Sequence, residues 1–177
     1  MYFDDGDLAA THTLACDARE IYEKHCAAQG VERMFEQIES ANPHRTRKEL
    51  WHILNGTRNF LKHPELSFDL SAQIEIDDEM NASMIWVACH DCAMLCEEAQ
   101  PPEVQAFNLW FLSTHGSRDG RDEAETRRAD EILAAIDRGY PGLRKAALPE
   151  QKRIGKKMLL DACELTASTA QPAPPRI

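Results

Sequence analysis

Apolar residues recur along this chain at intervals of three and four, and alternating Val/Ile/Thr-rich runs are nearly absent. The pattern predicts helices and little else. The first spans Asp7 to Gln29, with Leu8, Leu14, Ala15, Ala18, Ile21 and Tyr22 as its apolar face, and stops at Gly30, a residue suited to positive φ. A short helix follows over Val31 to Glu39. Asn42-Pro43 reads as a turn and the start of the next helix, Arg45 to Lys62, with a stripe of Leu50, Ile53, Leu54, Thr57 and Leu61. Gly56 lies inside that helix at a cost of about 1 kcal/mol relative to Ala. Pro64 disfavours helical geometry at His63 and so places His63 at the helix end.

Residues 64–76 read as a loop or extended piece. Asp77 or Asp78 caps a helix running to about Gln100. Pro101-Pro102 opens another, Glu103 to Ser113, whose FNLWFL run is apolar nearly all round and therefore buried or at an interface. GSRDGRD is a turn-rich linker. Glu123 to Arg138 carries Ala129, Ile132, Leu133 and Ile136 on one face. Pro149 to Ala167 carries Ile154, Met158, Leu159, Ala162 and Leu165. The fold class is thus an all-α bundle of about six to seven helices, a single domain over 1–168 with a disordered tail at 169–177.

Charge sharpens this picture. The 177 residues hold 30 acids against 20 bases, a net charge of −10. Residues 1–62 carry ten acids and eight bases, and 118–177 carry ten and twelve. Residues 63–117 carry ten acids and no Lys or Arg, so the excess sits in one block. Just before it, Arg45, Arg47, Lys48, Arg58 and Lys62 face a single acid, Glu49. A broad cationic surface for duplex DNA is excluded, while a small basic site for one or two phosphates is not. No apolar run reaches the ~18–20 residues of a membrane span, and the acidic start MYFDDGD is unlike a secretory leader. A cytoplasmic protein without membrane contact is expected.

On the basic helix, Lys48, His52, Asn55, Asn59 and His63 line the face opposite the apolar stripe. Arg58 and His63 point about 140° apart on a straight helix, so they converge only at a helix end or across two subunits. The segment Arg58-Asn59-Phe60-Leu61-Lys62-His63 resembles the R-x4-H motif of the HEPN superfamily; Arg47 and His52 share the same spacing. That resemblance implies a helical bundle with its core at about 7–113 and a C-terminal addition at about 122–168. HEPN proteins are often homodimeric. Many are metal-independent endoribonucleases of toxin or defence type, with a site where two motifs meet, and others are non-catalytic regulatory or interaction modules. It implies His63 as the proton-transfer residue, Arg58 as the phosphate clamp, Asn59 in support, and Lys62, Lys48, His52 and Asn55 as substrate contacts. His and Arg suit that chemistry: imidazole titrates near neutrality, and guanidinium offers fixed donors to phosphate oxygens. RNA or a protein partner is the implied ligand, with no cofactor. The alternative is a solvated helix end, with Arg58 and Lys62 paired to acids of the 63–117 block and His63 favourable to the helix dipole.

HTLA in the first helix, NFLKH followed by LSFD, and PPEVQAFNLWFLSTH together are similar to a group of bacterial proteins of unknown function, a likeness that brings no activity with it. Of the six cysteines, Cys89 and Cys92 form a C-x2-C pair with Cys96 beyond it. They lie in one arc with Met84, Ile85, Ala88 and Leu95, so packing is the main reading and a small metal-binding site the lesser one. His12 is a core or boundary histidine.

Overall fold

The computed structural model describes residues 1–63, 73–96, 100–116 and 122–169. Among them are seven α-helices and no strand: α1 (Leu8–Gln29), α2 (Met34–Ala41), α3 (Arg47–Lys62), α4 (Asp78–Leu95), α5 (Pro102–His115), α6 (Glu123–Gly139) and α7 (Leu148–Thr169). Short 3-10 turns lie at Tyr2–Asp4 and Leu143–Lys145. None of the described helices is long and apolar enough to cross a membrane. The all-α class is as the periodicity predicts. Residues 64–72 of the 64–76 loop, most of the GSRDGRD linker and most of the tail fall outside the described residues.

Local chemistry sets the helix ends. The Asp7 carboxylate accepts from the Ala10 N–H at 2.7 Å and starts α1, and Gly30 closes it at φ 69°. The third helix starts later than the Asn42-Pro43 turn suggests. Thr46 and Glu49 form a reciprocal cap, the Thr46 N–H donating to the Glu49 carboxylate at 2.7 Å and the Glu49 N–H to the Thr46 hydroxyl at 3.3 Å. Asp77 caps α4, donated to by the Met80 N–H at 2.7 Å. That helix ends at Leu95 with Cys96 as its cap, short of Gln100.

The chain divides into two compact units, Met1–Gln100 and Pro101–Ile177. In the first, α1 packs along α4, with α3 on the flank of α1 and α2 against α4. Ala15, Cys16 and Met84 form a small buried cluster, with Leu54 and Ile85 packed on it. Polar groups join it. His12 and Asn81 are both buried, with His12 Nδ1 3.1 Å from Asn81 Oδ1; the Asn81 amide N–H donates to the Leu8 carbonyl at 3.1 Å. Asp91 is buried too, and its carboxylate accepts from the Met34 N–H at 2.7 Å, so a side chain of α4 caps α2.

The buried face of α1 is not the one its leucines suggest. It consists of Thr11, His12, Ala15, Cys16, Arg19 and Cys26, whereas Leu14 is 58% and Ile21 55% exposed. The helix is turned so that His12 meets Asn81 and Arg19 meets Asn55; leaving such groups unpaired in the interior costs about 1–3 kcal/mol each, comparable to burying one more aliphatic side chain.

In the second unit, α5 packs on α7, with the 3-10 turn and α6 against α5. Trp110 is fully buried and its indole N–H donates to the Gln151 carbonyl at 2.8 Å. Phe107 and Phe111 are buried beside it, while Leu109 and Leu112 are partly exposed, so the FNLWFL helix buries one side only. The His115 ring stacks on Phe111 with centroids 4.5 Å apart.

Candidate functional site

The residues singled out on the basic helix do not form one site. Asn55 is 2% exposed and turns toward α1: its carbonyl accepts from Arg19 Nη2 at 2.5 Å, and its amide N–H donates to the Trp51 carbonyl at 2.9 Å. It is a packing residue of the α1–α3 interface, which corrects its assignment to the solvent face. Arg58 is drawn to the same side. Its Nε and Nη2 both lie 3.3 Å from Asp17 Oδ1, and Nη2 also reaches the Glu20 carboxylate. Lys62 donates to Asp17 as well. Among the described residues, the acids that hold this end of the helix are Asp17 and Glu20 of α1.

Those contacts shape the carboxylates. The hydrogen bond from Lys62, with support from Arg58, holds the Asp17 carboxyl below its usual range. The bond from Lys24 and the charge of Arg58 do the same for Glu20. With Nε and Nη2 taken by carboxylates of α1 and the side chain about 140° round the helix from His63, Arg58 does not stand as a phosphate clamp beside that imidazole.

Lys48, His52 and His63 lie on the exposed side of α3, and Asn59 sits one turn before His63 on that face. The His63 N–H closes the helix on the Asn59 carbonyl at 2.9 Å. Helical phase carries Arg58 away from this face, as the 140° offset requires. Ile53 is 59% exposed, contrary to its expected place in the buried stripe, about 80° round the helix from His63 and about 140° from Lys48. Gly56 lies between, and a Cβ added there would meet nothing within 4 Å.

A second arrangement was not legible as a motif. Arg19, Arg33 and Arg58 line a groove of about 280 Å³ between α1 and α3, together with Glu20, Glu23, Lys24, Ala27, Trp51 and Asn55. Glu23 is shared: Arg19 Nη1 donates to one oxygen at 3.0 Å, and Arg33 Nη1 lies 3.6 Å from the other. Arg33 in turn pairs with Glu36. Arg19 is buried. The only sequence signal was an arginine inside an otherwise apolar arc of α1.

Among the described residues no three His, Cys, Asp or Glu side chains stand close enough to hold a metal ion. Cys92 is buried, Cys89 and Cys96 partly so, and burial pushes the Cys89 thiol up to about 12. The Tyr22 hydroxyl is bonded to Cys92 and, with burial added, is pushed up to about 12. These thiols line packing contacts between α1 and α4.

Comparison of the chain with protein-family models, curated proteins and solved structures gives no match.

Proposed function

We propose that this protein is a HEPN-like interaction module that pairs with a second copy of itself through the outer face of α3, and that it is not a nuclease. The observation that carries the reading is the character of that face. Ile53 is largely exposed, and Gly56 is a mid-helix glycine whose missing Cβ relieves no clash among the described residues. A glycine in that position costs helix stability and is of use where another backbone comes close. On the side of Gly56 away from Ile53, His63, His52 and Asn59 supply a polar rim. Arg58 is withdrawn to the opposite side and held by carboxylates, which argues against the catalytic pairing of Arg58 with His63.

Light scattering on the purified chain tests the pairing. A dimer is expected, with Ile53→Glu monomeric and its helical circular dichroism unchanged. A monomeric parent chain overturns the reading.

One observation favours the endoribonuclease reading in a modified form: His52 and His63 are both exposed. Pairing through this side of α3 would bring two copies of them together without Arg58, and paired imidazoles suffice for proton transfer. Incubation with mixed RNA separates the readings: no cleavage is expected, and cleavage lost in His63→Ala but kept in Arg58→Ala would establish the nuclease instead.

A further inference from the structure

We propose that the groove between α1 and α3 binds a small aromatic oxyanion, its ring against Trp51 and its anionic group toward Arg58. Trp51, Asn55 and Arg58 share one face of α3, since seven residues turn the helix by about 700°, within roughly 20° of two full turns. They span about 10 Å along the axis. That is the reach of one ring bearing one oxyanion. The groove volume of about 280 Å³ lies at the small end of ligand sites, which suits the same size.

Among the described residues two guanidinium donors of the wall, Arg58 Nη1 and Arg19 Nε, have no protein partner. The groove lining carries four cations (Arg19, Lys24, Arg33, Arg58) and two anions (Glu20, Glu23), and Asp17 and Glu36 beside it pair with Arg58 and Arg33. The carboxylates orient the guanidiniums without exhausting them. Arg58 bonds Asp17 and Glu20 through Nε and Nη2 and leaves Nη1 unbonded. Arg19, held by Glu23 and Asn55, keeps a buried Nε with no partner. Its charge is fixed at the edge of low-dielectric protein, where it acts on an anion more strongly than a solvated arginine would. Trp51 is 50% exposed and lines the groove, and among the described residues its indole N–H makes no hydrogen bond. An isolated exposed Trp is ordinary, but a Trp beside an unspent guanidinium matches a ligand that is flat at one end and anionic at the other.

The shared chemistry is an oxyanion on a ring, and two sources carry it: a phosphate ester or a carboxylate. Titration calorimetry of the full chain with phenyl phosphate and with benzoate tests both, with phenol and inorganic phosphate as controls. Saturable binding of one aromatic anion is expected, and which of them binds names the source. Phenol and inorganic phosphate are each expected to bind at least about tenfold more weakly. Trp51→Ala and Ala27→Phe, both at exposed helix positions, are expected to weaken binding about tenfold or more with the fold intact by circular dichroism. Absence of saturable binding by either anion up to about 10 mM overturns the proposal. So does binding that both variants leave unchanged, or binding that inorganic phosphate matches.

Discussion

Arg58 of α3 reaches across to Asp17 of α1, with Nε and Nη2 each 3.3 Å from the same carboxylate oxygen. This contact decides much about the protein. It fastens the basic helix to α1 and holds the guanidinium at the lining of the α1–α3 groove. Because Asp17 is more than a third exposed, solvent screens the pair, and its energetic share is modest. Replacing Arg58 with Ala is expected to lower stability by about 1 kcal/mol, part of it from lost packing of the stem. A double-mutant cycle with Asp17→Asn in urea should return a coupling of about 0.5–1 kcal/mol that shrinks at 1 M salt.

The same acids give a pH dependence. Asp17 and Glu20 have carboxyls depressed below their usual range, Asp17 first by the Lys62 hydrogen bond and Glu20 first by the Lys24 bond. A depressed folded-state pKa means that the unfolded chain binds protons more readily. Their contribution is therefore fully present above the ordinary carboxylate pKa of about 4 and is lost as pH falls through the lower folded values. Urea midpoints measured from pH 6 down to pH 3 should fall, and an Asp17→Asn/Glu20→Gln variant should show a shallower slope.

His12 gives a second dependence, in a higher window. The Asn81 amide N–H is spent on the Leu8 carbonyl, so Oδ1 faces the imidazole and the proton sits on Nδ1. Nε2 is buried without a partner, and burial lowers the His12 pKa. The unfolded chain thus takes up a proton near pH 6.5 that the folded chain resists, and stability falls as pH drops below that value. Thermal melts at pH 7.5 and 5.5 should separate. A His12→Leu/Asn81→Leu variant, which removes both partners, should lose that part of the difference while remaining folded.

Gly56→Ala is expected to raise the stability of the isolated chain by about 0.5–1 kcal/mol, because the new methyl meets nothing and the unfolded chain loses freedom. If two copies pair on this face, the same substitution weakens the pairing. Denaturation and light scattering on one sample would show the two effects in opposite directions.

In the second unit, Trp110→Phe removes the indole bond to the Gln151 carbonyl and part of a fully buried ring. A loss of about 1–3 kcal/mol is expected, and about 3–5 kcal/mol for Trp110→Ala, read from the urea midpoint.

Helix number and type were legible from residue order because three-four periodicity and caps act locally. The Gly30 stop, the Asp77 cap and the proline boundary at 101–102 are set within a few residues of chain, and the structure places each near its expected position. The 140° offset of Arg58 from His63 was equally legible, since it follows from helical pitch alone. Which face each helix buries was not. Hydrophobicity assigns Leu14, Ile21 and Ile53 to the interior, yet all three are exposed, while His12, Arg19 and Asn55 are buried.

The reason is physical. Apolar burial scales with area and is indifferent to which partner provides it, so a sequence pattern constrains it only loosely. A buried His–Asn pair or Arg–Asn bond is directional and costly to break, and it selects one rotation of a helix once the partner helix is in place. Residue order by itself determined the helices, several of their caps and the location of the charge excess. Only the tertiary structure decided that the basic helix spends Arg58 and Lys62 on Asp17 and Glu20, because those acids lie some forty residues away and meet the helix only when α1 and α3 pack.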